Sequence, residues 1–297
     1  REMPVSKAGE ILGETDQRLW RMLFAHVQAA HAQLSMEQVV WVGADEMNRK
    51  KGHNYLTVFV DLLAKRVLFA TEGKDATTWK AFAQALLEHN GHPKAVTQVA
   101  IDMSPAYRKG VADNLGNANV SFDKFHVVGQ VVEAVDEVRR AERSQPDRGE
   151  LLEKARWLFR KNPENWTDKE GARWEELAGE NLATGLAYQM RLVFQDTYKL
   201  GSEKLARKKF QSWCDWVDEA GAQAGKLLEP MMKRARMVRE HLDGILGHWK
   251  EGLTTAYLEG LNSLFSATKR KARGYRSTEH LITMLYFVAG KLSIPCY

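Results

Sequence analysis

The chain has 297 residues, 44% hydrophobic and 27% charged, with a formal net charge of +5. At about 150 residues per domain this length predicts about two domains, and the composition excludes a disordered chain. No apolar run approaches the roughly 18 residues of a membrane span, and the opening REMPVSKAGE lacks a signal-peptide core. Cys214 and Cys296 stand too far apart in sequence to build a disulfide framework or a zinc module, which predicts a cytoplasmic protein. The start on Arg rather than Met predicts a trimmed or partial chain. The cationic excess is mild and compatible with nucleic acid, so its placement matters more than its size.

In chain order, residues 4–34 read as helical with a break at Gly13. Gly9, Gly13, Leu19 and Trp20 have the spacing of a helix-turn-helix, a spacing that any short helical hairpin shares. Three strands follow, VVWVGADE (39–46), NYLTVFVDL (54–62) and KRVLFAT (65–71), rich in β-branched and aromatic residues. A helix over about 75–90 buries Ala81, Phe82, Ala85 and Leu86 and stops at Gly91. AVTQVAID (95–102) is a buried strand ending in an acid, Ser104 and Pro105 start a helix that Gly116 closes, and NVSF (119–122) is a fifth strand.

The order βββαβαβ predicts an antiparallel meander extended through helical crossovers. The result is an α/β mixed sheet of ribonuclease-H-like layout, with the 95–102 strand parallel to and beside 39–46. Beyond residue 124 the sequence predicts helices over 124–146, 150–162, 168–200, 202–224 and 226–272, with Trp157, Trp166, Trp174, Trp213, Trp216 and Trp249 packing a helical core. The expected organisation is a helix-turn-helix-like segment (1–36), the first part of a catalytic core (37–126), an all-α insertion (127–250) and the final helical part of the core (251–297).

Asp45 ends the first strand and Asp102 the fourth. On parallel neighbours both acids point into one crevice, where open α/β sheets bind ligands. Two close carboxylates repel unless a cation lies between them, and hard divalent ions meet that need with oxygen ligands. Glu46, one residue on from Asp45, faces the opposite side of the strand. Residues 254–277, placed on a helix, separate into two sides. Tyr257, Leu261, Leu264, Phe265, Thr268 and Ala272 form a core stripe; Glu259, Asn262, Ser266, Lys269, Arg270 and Arg273 lie opposite, with Arg276 continuing the basic cluster. That polar side suits either a solvated face or a helix laid along a phosphate backbone with metal at its acidic end.

The blocks GADE…KKGHNYLTVFVD, IDMSPAYRKGV, FDKFHVV and LEGLNSLFSATKRKARGYRS, in this order and spacing, resemble the DDE transposases of the ISL3 family of bacterial insertion sequences. The resemblance runs from about residue 5 to residue 290. It implies a ribonuclease-H-like core interrupted by a helical insertion, and DNA cleavage with strand transfer by a metal-bound triad of Asp45, Asp102 and Glu259. It also implies two Mg²⁺ or Mn²⁺ ions per site, double-stranded terminal-repeat and target DNA as partners, a homodimer on paired ends, and no membrane. DKFH resembles an Asp-x-x-His signature that brings Asp123 and His126 near the site, where His126 has either a structural role or one at the DNA strand or leaving group.

Cations following the acidic strand ends, Lys50, Lys51 and His53, and the first-turn residues Tyr107, Arg108 and Lys109 are expected phosphate contacts. Asn262, Lys269, Arg270, Arg273 and Arg276 are expected to join them on DNA. Members of the family usually carry a cysteine-rich zinc-binding segment before the helix-turn-helix, and none stands in this sequence. Two other functions share these features: a ribonuclease-H-like nuclease without strand transfer, and a DNA-binding protein that retains the fold without the chemistry.

Overall fold

The computed structural model describes residues 3–50, 54–250, 256–272 and 274–294, without the side chains of residues 49, 50, 54, 256, 258 and 259. Chain order begins with α1 (Val5–Leu12), α2 (Asp16–Ala32), β1 (Trp41–Lys50), β2 (Asn54–Asp61), β3 (Arg66–Glu72), α3 (Ala76–Glu88), β4 (Gln98–Ile101), α4 (Pro105–Asn114) and β5 (Asn119–Phe122). It continues with α5 (Lys124–Arg143), α6 (Asp168–Ala178), α7 (Ala183–Thr197), α8 (Glu203–Ala224), α9 (Glu229–Glu240), α10 (Leu242–Leu246), α11 (Ala256–Lys271) and α12 (Thr278–Ala289). The chain divides into two compact units, residues 1–121 with 253–297, and residues 122–252.

The first unit is built on a mixed five-stranded sheet of order β3-β2-β1-β4-β5. β1, β2 and β3 form the antiparallel meander, and β4 pairs parallel to β1 with Gly43 opposite Ala100. Alternation along the strands gives two buried faces. On one, Leu56, Val58, Val60 and Ala100 pack with Val27 of α2, Leu261 and Phe265 of α11, and Leu281 and Leu285 of α12. On the other, Phe59 stacks on Phe82 of α3 with ring centroids 4.3 Å apart and meets Trp79 edge-on at 4.9 Å.

Local signals explain the helix starts and stops. Thr15 caps α2 by accepting from the Arg18 amide, and Gly13 takes the left-handed turn before it at φ 66°. Asp75 caps α3 and Ser277 caps α12. The register between β2 and β3 shifts after Phe59, leaving Leu68 outside the ladder pairs. The Leu68 carbonyl instead accepts from His31 Nε2 at 2.8 Å, and the His31 ring stacks on Tyr286 of α12. Tyr286 in turn places its hydroxyl on the Ala70 amide of edge strand β3.

The second unit is helical, with two aromatic clusters. Phe194, Phe210 and Trp213 pack α7 on α8, and Trp213 Nε1 donates to the Met190 carbonyl at 2.8 Å. Phe159, Trp166, Trp174 and Tyr188 form the other, beside a buried Arg191 that donates to the carbonyls of Arg160 and Lys161. The buried Glu142 carboxylate accepts from the amides of Ala183 and Thr184, closing the N-terminus of α7.

Several helical expectations need correction. Residues 150–162 form turns and a short 3₁₀ segment, Leu158–Arg160, because Asp147 and Lys154 take positive φ values of 64° and 58° that interrupt an α-helix. The 168–200 stretch breaks at Asn181 (φ 47°), and 226–272 is several helices rather than one. Trp157 is 62% exposed and packs no core, and Leu264 of the expected core stripe is 41% exposed.

Two outcomes test this packing. A Cβ at Gly110 of α4 would stand 2.4 Å from Trp79 Cδ1, so Gly110→Ala should destabilise by about 1–3 kcal/mol, read from the urea midpoint. Burial holds the His31 pKa below its ordinary value, outweighing the Leu68 bond that raises it, with His89 lowering it further. The unfolded chain therefore binds the proton first, and this contribution to stability is complete above about pH 6.5 and lost progressively below it. His31→Gln should flatten the fall in melting temperature between pH 7 and pH 5.5 without abolishing it, because burial also depresses His248.

Candidate active site

Asp45 lies on β1 opposite Val58 of β2, on the sheet face that α11 covers. The parallel pairing of β1 with β4 ends at Gly43–Ala100, and Asp45 and Asp102 each follow two residues beyond it on the two chain segments. Both side chains are half-buried. Asp45 Oδ1 accepts from the Glu46 amide at 2.7 Å, and Asp102 Oδ1 accepts from the Ser104 amide at 2.9 Å, where α4 begins.

α11 reaches Asp45 directly. Asn262 Nδ2 donates to Asp45 Oδ2, and Lys269 Nζ donates to the Asn48 carbonyl at 2.6 Å. The two contacts run α11 along β1 in the same direction. Leu261 and Phe265, on either side of Asn262, are buried in the core. Position 259 is one helical turn before Asn262 on α11; the side chain of Glu259 lies outside the described residues.

Glu46 occupies the alternate face of β1, opposite Thr57 of β2. There the Tyr107 hydroxyl meets Thr57 Oγ1 at 2.8 Å, and Thr57 Oγ1 donates to the Gly73 carbonyl. Tyr107 is fully buried, which corrects its expected role as a DNA contact: its ring packs edge-on against Trp79 under the sheet. Burial pushes the Tyr107 pKa far up, opposed by the Thr57 bond and reinforced by the charges of Glu46, Asp102 and Asp45, so the phenol stays protonated.

The remaining expected residues are dispersed. Arg108 is half-buried on α4; Lys109 is exposed and pairs with Asp113 at 3.0 Å. Arg270 and Arg276 are exposed. Arg276 lines a cleft of about 980 Å³ that α1 and α2 share with α11, α12 and their connection, together with Trp20, Lys271, Tyr275 and His280. His126 sits in the first turn of α5 in the second unit, half-exposed, with Nε2 3.8 Å from Oδ2 of Asp123, the residue that caps this helix. Lys51, His53 and Arg273 lie outside the described residues, as does the Lys50 side chain.

The sequence offered a signal for the Asn262 contact, since Asn262 follows Glu259 by three residues and shares its side of the helix. It offered none for Thr57 as the partner of Tyr107. Among the described residues no group of three His, Cys, Asp or Glu side chains is placed to hold a metal ion. The two aspartates nevertheless present hard, anionic oxygen donors from adjacent segments of one half-buried sheet face, a donor set that fits a hard divalent cation.

Asp45 does not end a strand as expected: β1 continues to Lys50 in its pairing with β2, and only the parallel pairing with β4 stops short of it, at Gly43–Ala100. The mixed sheet with helices over it defines an α/β protein. The chain belongs to the ISL3 family of DDE transposases: residues 42–285 match that family, described as Transposase. It is 28% identical over 261 residues to the transposase for insertion sequence element IS1001 of Bordetella parapertussis, covering 86% of this chain and 62% of that protein. It is 27% identical over 283 residues to the transposase for insertion sequence element IS1557 of Mycobacterium tuberculosis, covering 86% and 61%. The chain thus spans about three fifths of the length of these curated relatives. Among the described residues no helix is long and apolar enough to cross a membrane.

The burial of Tyr107 generates a prediction. Tyr107→Phe removes one hydrogen bond beneath the acidic pair and should cost about 1 kcal/mol of stability. DNA affinity and its salt dependence should be unchanged, as measured by titrating labelled duplex at two ionic strengths.

Proposed function

We propose that this chain carries the catalytic core of an insertion-sequence transposase that cleaves DNA at the element's ends and joins them to target DNA. The observation that carries this reading is the contact of α11 on Asp45, supported by the parallel β1–β4 pairing that leads toward Asp45 and Asp102. The strand order and the parallel β1–β4 pair support a ribonuclease-H-like core. In this reading α1 and α2 are a helix-turn-helix-like segment, and the second unit is an all-α insertion before the final part of the core.

Asp45, Asp102 and Glu259 would form the metal-binding triad, holding the two Mg²⁺ or Mn²⁺ ions expected per site. Such ions activate the attacking oxygen and stabilise the leaving one during in-line displacement at phosphorus. The protein's own part is to hold the carboxylates together and to fix the DNA strand over them. Arg108, Lys109, Lys269, Arg270 and Arg276, with Lys51, His53 and Arg273, supply phosphate contacts, and His126 has either a structural role in α5 or one at the DNA strand or leaving group. Water attacks first, releasing a 3′-hydroxyl at the element's end; that hydroxyl then attacks a target phosphorus and displaces the target strand's own 3′-oxygen. No covalent bond to the protein forms in either step. The working form is a homodimer on paired ends.

The test uses purified protein, labelled element ends, supercoiled plasmid and Mn²⁺. Joined products are expected. Hydrolysis without joining would make the protein a nuclease instead. Asp45→Asn and Asp102→Asn should each reduce cleavage to the no-protein background while leaving DNA binding within a few-fold. Undiminished cleavage by Asp102→Asn would remove the triad from the mechanism.

A further inference from the structure

We propose that Asn262 is a positioning residue for Asp45, rather than a DNA contact, and that its amide sets the register of α11 on the acidic pair. The inference rests on the metal-binding reading of Asp45 given above. Both oxygens of the Asp45 carboxylate are held: Oδ1 by the Glu46 amide within its own strand, and Oδ2 by Asn262, 217 residues away in sequence. A carboxylate fixed at both oxygens has little rotational freedom, and its direction is set before any ligand arrives.

The chemistry of the donor matters. A lysine or arginine at this place would neutralise Asp45 and compete with a cation for it. An amide is neutral, so it orients the carboxylate and leaves its charge in place. The helix does not depend on this bond alone for attachment, because Leu261 and Phe265 bury beside it and Lys269 ties the next turns to the Asn48 carbonyl. The amide bond therefore contributes depth and rotation more than adhesion. Position 259, one turn earlier on the same helix, is carried to its level along β1 by that same contact.

The test separates Mn²⁺ binding from DNA binding. Asn262→Ala should weaken Mn²⁺ binding to the DNA-free protein, measured by calorimetry, and slow single-turnover cleavage, each by about 10- to 100-fold. The Kd for end DNA and its salt dependence should stay at wild-type values. Asn262→Asp keeps the side chain's shape but sets a second carboxylate against Asp45. Its melting temperature without metal should fall, and its gain on adding Mn²⁺ should exceed the wild-type gain. This variant also keeps the question open to measurement if Asn262→Ala does not fold.

Wild-type Mn²⁺ affinity and cleavage in Asn262→Ala would overturn the proposal, as would an effect confined to DNA affinity or the absence of a larger Mn²⁺ response in Asn262→Asp. Asp45→Asn distinguishes the two levels of the argument. If it cleaves normally, the metal-binding reading has failed; if it is inactive while Asn262→Ala behaves as wild type, only the positioning role has failed.

Discussion

Two like charges on one sheet face are the constraint around which the first unit is arranged. Carboxylates brought near one another away from bulk water repel. The protein offsets part of this with donors that carry no net charge: the Glu46 amide and the Asn262 side chain on Asp45, and the Ser104 amide on Asp102. Each of these donors is a backbone N–H or a side-chain amide and brings no charge of its own. A site meant only for stability would place a cation there.

The rigidity needed to hold such a pair comes from the apolar packing on both sides of the central strands. β1 lies between β2 and β4, with helices over both sheet faces. Phe59, Phe82, Trp79 and Tyr107 fill one side; Leu56, Val58 and Val60 meet α2, α11 and α12 on the other. While α11 contacts Asp45, α12 covers the edge of the sheet, since Tyr286 takes up the Ala70 amide of β3 and stacks on His31. Stability and site geometry therefore draw on the same contacts.

The strands are legible because period-two alternation is a local signal, whereas the acid at Asp45 is a poor mark of a strand end, since β1 continues to Lys50. The order of the first five strands and two intervening helices follows directly from such local signals. Tyr107 was misassigned for a physical reason: a place in a first helical turn suggests phosphate contact, but the side chain's direction is set by the face it shares with Gly110 and Val111, both buried. That spacing was visible in the sequence and pointed inward. Helical periodicity over-extends 150–162, where left-handed Lys154 has no residue signature, and 168–200, where Asn181 is of a type that favours left-handed backbone and marks the break. The two expected sides of α11 hold only in part: Leu261 and Phe265 are buried, but Leu264 is exposed and Asn262 and Lys269, expected on the opposite side, contact β1. Which polar residue faced the sheet depended on the docking of a distant strand, which no local pattern encodes.

That distance bears on how the site assembles. The chain leaves the first unit after Ser121 and returns at Leu253, so β1 and α11 meet across more than two hundred residues. Contacts of this sequence separation form late, after the cost of closing the loop has been met. A hydrogen bond contributing about 1 kcal/mol net is too weak to drive that closure. Burial of Leu261 and Phe265, about 1.5–3 kcal/mol for each side chain, has the magnitude to do so. Apolar contacts thus bring the helix to the sheet, and the amide of Asn262 then selects among nearby registers the one in which Asp45 is held at both oxygens. The division of labour explains why a polar residue stands between two buried apolar ones on α11: the neighbours supply the attraction, and Asn262 supplies the alignment.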